Sequence, residues 1–207
     1  MLKVRKENRK TVSRKIFLYV LFALLVVNIQ ARDYFVKTSG LSHADGMSWQ
    51  TATTLDEALM QAQSGDVIYL AAGTYSPVSK ITGGSLDEDS TFEIKQNISI
   101  IGGYPVDPEH SDVPVKDNRT ILSGIITDKK VFHVVTITAP VEQDEKVRFS
   151  NLIITGGRAG ANESGNVMVN GLNYPRFNGG AIIIGKSSVE INQCEISENE
   201  SLYHTPG

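Results

Sequence analysis

Short runs of alternating apolar and polar residues occupy most of the chain from Asp33 onward. Gly, Asn, Asp and Ser separate the runs, and because these residues favour turns the pattern predicts β-strands. The predicted strands are 67–70, 92–94, 98–101, 120–123, 131–137, 147–155, 181–184 and 189–197. Helices of crossover length do not separate them, which argues against a sheet built from alternating strands and helices.

One segment, Thr54 to Ser64, has the periodicity of an amphipathic helix. Thr54 and Glu57 are spaced for a capping box at its start. The apolar residues that share one face are Leu55, Ala58, Leu59 and Ala62. We expect this helix to cover the open end of a β-coil, as the atypical end unit of a solenoid does.

Segments 147–157 and 189–199 are copies of one unit, with apolar residues in matching places. In each copy the alternation slips by one position between the third and the sixth residue. A flat strand would not slip, because the rest of the strand would then turn to the other face. A strand, a polar corner and a second strand keep both apolar runs pointing inward. The matched residues should stack vertically in two pairs, Phe149 on Ile191 and Leu152 on Cys194.

These patterns predict an all-β fold, a right-handed parallel β-helix with one N-terminal capping helix. The domain is assigned to residues 32–207, with the N-terminal cap at 33–75 and the coils at 92–200. The sequence shows no second capping helix near its end, and an uncapped coil presents unpaired backbone groups. We therefore expect a C-terminally truncated solenoid, with further coils beyond residue 207.

Residues 1–31 have the layout of a secretory signal peptide. Met1 to Lys15 carries seven basic residues, and Ile16 to Ala31 carries no charge. The apolar core Ile16 to Val27 is shorter than the about 20 residues of a bilayer span. Cleavage after Ala31 is the favoured interpretation, and an uncleaved anchor is the alternative. The mature chain is then expected to have no membrane span and to lie outside the cell or at its surface, associated with the outer membrane.

Composition and charge exclude some functions. The chain has 20 basic and 23 acidic side chains and a net charge of -3, so it lacks the positive field that gathers nucleic-acid phosphates. Its single cysteine, Cys194, cannot form an internal disulfide, and we expect it to be a small buried residue. Packing must therefore hold the fold together.

Several stretches carry a family resemblance. They are Ser48–Ala52, Ser64–Tyr75, Ile100–Tyr104, Thr120–Gly124, Phe132–Val135, Gly179–Ile182 and Cys194–Asn199. Together they resemble the bacterial right-handed parallel β-helix proteins of the pectin-lyase-like superfamily, and within it surface proteins with polymorphic outer-membrane-protein-type repeats. The resemblance implies the fold and export. It implies no single activity, because this superfamily includes polysaccharide lyases, polygalacturonase-like hydrolases and proteins without known activity.

The sequence predicts no catalytic residues, metal or cofactor. The hydrolases that it resembles would show Asn-x-Asp, Asp-Asp and Gly-His-Gly, and none of the three occurs. A calcium site built from acidic residues of one loop is the alternative to a solvated turn. Those residues are Asp107, Glu109, Asp112 and Asp117. If the chain is instead part of a lyase or hydrolase, the basic residues to inspect are Arg148, Arg158 and Lys186.

The long loop 158–178 separates the two matching coils and is the predicted contact region. Its candidate ligand-binding residues are Arg158, Asn173, Tyr174, Arg176 and Phe177. Aromatic rings cover the apolar face of a sugar, while amide and guanidinium groups bind its hydroxyls. The predicted function is a secreted or cell-surface scaffold for non-catalytic adhesion or glycan binding, with a polysaccharide or a host or cell-surface glycan as partner. The alternatives are an enzyme fragment and a purely structural spacer.

Overall fold

The computed structural model describes residues 30–142, 144–161 and 164–202. The chain divides into two units, residues 1–30 and residues 31–207, and every described strand and helix belongs to the second. The predicted signal peptide lies outside the described residues except at its last two positions, and so does the segment 203–207. Within the described ranges, no helix combines the length and the apolar character that a membrane crossing needs.

Most of the described residues belong to short strands, joined by corners and loops. The strands are β1 (Asp33–Val36), β2 (Val67–Ala71), β3 (Gly73–Tyr75), β4 (Phe92–Ile94), β5 (Ser99–Tyr104), β6 (Thr120–Ser123), β7 (Ile125–Ile126), β8 (Lys129–Lys130), β9 (Val135–Ile137), β10 (Val147–Ser150), β11 (Ile153–Thr155), β12 (Arg158–Ala159), β13 (Asn166–Val169), β14 (Leu172–Pro175), β15 (Ile182–Ile184), β16 (Val189–Asn192), β17 (Glu195–Ser197) and β18 (Glu200–Ser201). The helix α1 spans Leu55–Gln61, and a single 3-10 turn spans Asp87–Asp89.

Three parallel sheets form the sides of the coils. The first sheet has the order β1-β2-β5-β10-β16, the second β3-β6-β11-β17 and the third β4-β9-β15. The chain visits the first, second and third sheet in turn and then returns to the first, one level further along. Because every pair within these sheets is parallel, the described residues form a parallel β-helix, as the sequence predicts.

The predicted stacking of the two matching coils is confirmed. Phe149 pairs with Ile191 in the first sheet, and Ile153 pairs with Glu195 directly after the corner. The slip in the alternation has a backbone cause, because Asn151 and Gln193 adopt left-handed φ values of 55° and 53°. A single residue in that conformation turns the chain from one sheet to the next and keeps both strands facing inward.

The apolar core fills the inside of the coils. Phe149, Ile154 and Ile68 are fully buried, whereas Ile191 in the last described coil is 44% exposed. Cys194, which the sequence places beside the buried Leu152, is only half-buried, although it packs against the same core.

The helix α1 begins where the sequence predicts and ends earlier. The hydroxyl of Thr54 accepts a hydrogen bond from the Glu57 backbone N–H at 3.3 Å, which caps the first turn. Ala62 already has an extended ψ of 144°, so the helix ends at Gln61 and not at Ser64. Leu55 and Ala58 are buried and join the main core, and the helix contacts β1 and β4.

Candidate functional site

The insertion 105–119, between β5 and β6, frames a groove on the corner between the first and second sheets. In the next two coils the same corner takes only two residues, 151–152 and 193–194, so the long insertion overhangs them. The groove has a volume of about 710 Å³. Residues of the insertion and residues of the two short corners line it together.

Gly103 fixes the insertion to the corner. Its φ of 91° is left-handed, and a Cβ at this position would lie 3.2 Å from the Asn151 Cβ and 3.0 Å from the Val115 carbonyl oxygen. The Gly103 carbonyl accepts hydrogen bonds from the Val115 backbone N–H at 2.8 Å and from the Asn118 side-chain amide at 3.0 Å. Only glycine permits this close approach without strain, so the wall of the groove depends on it.

The lining residues combine cations with amides. Lys116 and Arg119 are exposed, and neither forms an ion pair within the part of the chain that the structure describes. Asn151 and Gln193 present amide side chains one coil apart, and Glu195 follows Gln193 by two positions. Such a set donates and accepts hydrogen bonds with hydroxyl groups, and its cations favour an anionic substituent.

Cys194 also lines the groove, but its thiol is not activated. Burial raises the pKa of the Cys194 thiol, and the backbone hydrogen bonds around it lower the pKa by less. The thiol is therefore protonated near neutral pH, and the thiolate is the form that acts as a nucleophile.

Tyr174, predicted as a sugar-stacking residue, lies inside the protein. Its ring is 1% exposed, and it packs with Ile81, Val167 and Val169 in a small second core. Its hydroxyl donates a hydrogen bond to the Ile137 carbonyl at 3.2 Å. The ring therefore offers no exposed face to a ligand, and its part in the structure is to attach the hairpin β13–β14 to the third sheet.

Arg176, the second predicted contact residue, forms a largely buried ion pair. Its Nε and Nη2 donate to the two carboxylate oxygens of Asp89, both at 2.7 Å, and its Nη1 donates to the Ser164 carbonyl at 3.0 Å. The guanidinium carbon also lies 5.8 Å from the ring centre of Phe132. All of these contacts are internal, so the guanidinium holds the loop in place.

The other three predicted contact residues reach the surface. Arg158 is exposed and lies 3.4 Å from the carboxylate of Glu200. Asn173 is exposed at the hairpin, and Phe177 is half-buried after it. None of the three lines the groove, so the structure does not bring them together with Lys116 and Arg119.

The acidic loop does not assemble a metal site in the structure. Across residues 30–142, 144–161 and 164–202, no group of three or more His, Cys, Asp and Glu side chains is close enough to hold a metal ion. Asp107 instead pairs with Lys37, and the Asp112 carboxylate accepts a hydrogen bond from the Glu109 backbone N–H at 2.7 Å.

The basic residues proposed for an enzyme do not converge on the groove. Arg148 lies on the first sheet beside Glu190, at 3.7 Å. Lys186 is exposed after β15, and Arg158 pairs with Glu200 on β18. They lie on separate elements, and none of them is among the lining residues of the groove.

Sequence reasoning missed the groove, although a signal for it exists. Two predicted strands, 98–101 and 120–123, leave an interval too long for a corner, while the matching corners of the later coils are short. Long insertions in solenoids gather on one face and build its binding surface.

Comparison with known proteins adds little to the assignment of the fold. No family model matches the chain, and no curated protein matches it. Among solved structures the chain is similar to the crystal structure of pectate lyase Pel9A, with a TM-score of 0.40 and 19% identity. The match covers 65% of this chain and 31% of that chain. The assignment to the class of parallel β-helix proteins rests on the strand pairing, and the finer resemblance to outer-membrane-protein-type repeats stays a prediction.

Proposed function

We propose that this chain is an exported β-helix scaffold that binds a polysaccharide or another glycan without cleaving it, and that the groove framed by residues 105–119 is the binding site. The observation that carries the proposal is that two exposed cations, Lys116 and Arg119, and the amides of Asn151 and Gln193 line one groove. Export is supported by the basic and then apolar pattern of the first 31 residues.

The groove suits a chain-like, hydroxylated ligand. The volume of the groove, about 710 Å³, falls within the range of small-molecule sites, and the groove runs across successive coils. Asn151 and Gln193 occupy equivalent corners of adjacent coils, so their amides repeat at the spacing of the strands, about 4.8 Å. Because the corners belong to paired strands, the backbone that carries the amides is held in place before a ligand arrives, which lowers the entropic cost of binding.

The absence of hydrolysis is proposed from the composition of the groove. Glycoside hydrolysis uses two carboxyl groups, one as an acid and one as a base or nucleophile. Among the described residues that line the groove, Glu195 is the only carboxylate. A single carboxylate among amides and cations can bind and orient a sugar, but it does not supply both roles.

Binding to a panel of soluble neutral and acidic polysaccharides, polygalacturonate included, tests the proposal. The variant Lys116→Gln with Arg119→Gln is expected to lose binding at least tenfold, on the order of 1.4 kcal/mol. The matched control is Arg148→Gln with Lys186→Gln, which removes one arginine and one lysine outside the groove and should keep binding.

Two results would contradict the proposal. Equal binding by the groove variant and the unaltered chain would remove the groove as the site. Release of unsaturated uronate from polygalacturonate by the unaltered chain would show that it cleaves its ligand.

A further inference from the structure

The hairpin β13–β14 covers the outer face of the third sheet. Glu93 and Thr136 are paired neighbours at outward positions of β4 and β9, where a simple coil would leave them in water. They are instead 9% and 0% exposed. The hairpin strands pair with each other in an antiparallel way and with no strand of the three parallel sheets. The hairpin is thus an added cover, attached through side chains.

Apolar packing, an ion pair and the hydrogen bond from the Tyr174 hydroxyl to the Ile137 carbonyl hold this cover. The inner side chains Val167, Val169 and Tyr174 pack on Ile81, and the Arg176 guanidinium binds the Asp89 carboxylate. Burial by itself raises the pKa of Asp89, but the hydrogen bonds from Arg176 and from the Leu86 and Ser85 backbone outweigh it and hold that pKa below its ordinary value of 3.8. The ion pair is therefore intact down to acidic pH.

One side chain beneath the cover has an unsatisfied atom. His133 is 6% exposed, and its Nδ1 lies 3.0 Å from the Gly179 carbonyl. A carbonyl oxygen can only accept, so Nδ1 carries the proton and Nε2 is the acceptor of the neutral ring. Within the described residues, Nε2 has no hydrogen-bond partner.

The imidazole lies beside a very small cavity. The cavity has a volume of about 10 Å³, room for about one water molecule. The charged groups that share its lining are Glu88 and Asp89 from the 3-10 turn and Arg176 from the end of the hairpin. The two carboxylates attract an imidazolium, whereas the guanidinium repels it.

We propose that the hairpin β13–β14 is a releasable cover and that protonation of the His133 imidazole opens it. Protonation places a positive charge on a ring that is only 6% exposed beneath the hairpin, and a buried charge costs free energy that water would otherwise offset. Opening exposes the ring to water and removes that cost. It also uncovers the polar face around Thr136, so acidic surroundings change which surface the scaffold presents. Thr82, which lies outside the hairpin, keeps its hydrogen bonds to the Glu93 carboxylate.

The direction of the pH dependence follows from the environment of the ring. Burial lowers the pKa of His133 below its ordinary value of 6.5, and the Arg176 charge lowers it slightly further. The Gly179 carbonyl, the Asp89 charge and the Pro175 backbone raise the pKa, but by less in total. The covered state therefore keeps its full stability above pH 6.5 and loses it as the pH falls from there to the lowered pKa. Asp89 titrates only at much lower pH, so mildly acidic conditions isolate the effect of His133.

Hydrogen exchange of the full chain at about pH 8 and about pH 5.5 tests the cover. An isolated two-stranded hairpin is marginally stable, so the amides of residues 166–175 should lose protection when the cover opens. The protection factors, which correct for the intrinsic effect of pH, should fall by up to about tenfold, because a pH of about 5.5 lies one unit below the ordinary pKa of 6.5. The His133→Gln variant should show no such fall, while the exposed control His110→Gln should behave like the unaltered chain.

Three measurements decide the outcome. Protection of residues 166–175 that is equal at both pH values in the unaltered chain would overturn the proposal, and so would an equal fall in His133→Gln. Amides of β11 in the same samples show whether that variant keeps its coils. If it does not, NMR titration of the His133 ring in the unaltered chain replaces it, and a pKa at or above 6.5 would refute the proposal.

Discussion

Two of the insertions that leave the coils, the one after β12 and the one after β5, differ in how they pack. Residues 164–181 fold back as the hairpin β13–β14 and bury Tyr174 and the Arg176 ion pair. Residues 105–119 are bonded to the coil at Gly103 and Lys37 and leave Lys116 and Arg119 exposed. The insertion richer in aromatic and amide residues is the packed one, and the one dominated by charge frames the groove.

The difference shows why residue type alone is a weak guide to a binding loop. Tyrosine and arginine recognise ligands because they combine a large contact area with directional hydrogen bonds. The same properties make them suitable for attaching a loop to its own protein. A partner within the chain, here Asp89 for Arg176 and the Ile137 carbonyl for Tyr174, decides between the two uses.

The largest expected effect is that of Arg176→Ala, which removes the ion pair between Arg176 and Asp89, here called the latch. Removing one partner of a buried ion pair leaves the other charge uncompensated, at a cost of about 3–5 kcal/mol. We expect the exchange protection of the hairpin amides to fall by at least about a hundredfold. The control is Arg158→Ala, since Arg158 and Glu200 are both about half exposed and their pair should contribute about 1 kcal/mol or less. If Arg176→Ala and Arg158→Ala lowered the exchange protection equally, the Arg176 ion pair would not be what holds the hairpin in place.

Gly103→Ala should weaken the stem of the groove insertion. The left-handed φ of 91° disfavours any residue with a Cβ, and the Val115 carbonyl lies too close to accommodate one. We therefore expect the free energy of unfolding, measured by urea denaturation, to fall by about 2–3 kcal/mol. Gly171→Ala is the matched control, because its φ is 74° and a Cβ there would meet nothing within 4 Å. The Gly171→Ala variant should lose only about 1 kcal/mol of unfolding free energy, from backbone strain alone. A Gly103 variant no less stable than the Gly171 variant would show that the stem is not tightly packed.

A smaller effect is expected for Tyr174→Phe. This change removes the hydrogen bond to the Ile137 carbonyl and keeps the buried ring, so the free energy of unfolding should fall by about 1 kcal/mol. The Ile137 carbonyl also accepts the Gly185 backbone N–H at 3.1 Å, which keeps it satisfied and limits the cost. Denaturant titration measures the free energy of unfolding of this variant and of Tyr104→Phe. Tyr104 is a half-buried tyrosine on the outside of the first sheet and serves as the comparison. A larger loss in the Tyr104 variant would contradict an anchoring role for the Tyr174 hydroxyl.

The smallest expected effect on stability belongs to the groove cations. Lys116→Gln with Arg119→Gln should change the free energy of unfolding by less than about 0.5 kcal/mol, because both side chains are exposed. The same urea titration measures it. A loss of several times that size would mean that these side chains stabilise the fold, and their freedom to bind a ligand would then be in doubt.

The coil architecture was predictable because residues close together in the sequence determine each coil. Inward positions of segments 147–157 and 189–199 must be apolar wherever the strands stack, so the alternation and its slip at the corner appear in the sequence itself. The start of helix α1 at Leu55 is equally local, since its cap lies three residues from its partner. The helix end and the half-exposure of Cys194 depend on neighbours and were not predicted correctly.

The candidate site, by contrast, depends on residues that are far apart in the chain. The groove needs Gly103, Lys116, Asn151 and Gln193 from three successive coils, and the latch joins Asp89 to Arg176 across 87 positions. The sequence by itself determined that this chain coils and where each coil turns, because inward and outward alternation is a property of each strand. Only the tertiary structure decided which insertion packs and which stays open, because that choice depends on whether a distant partner of matching charge and shape lies within reach.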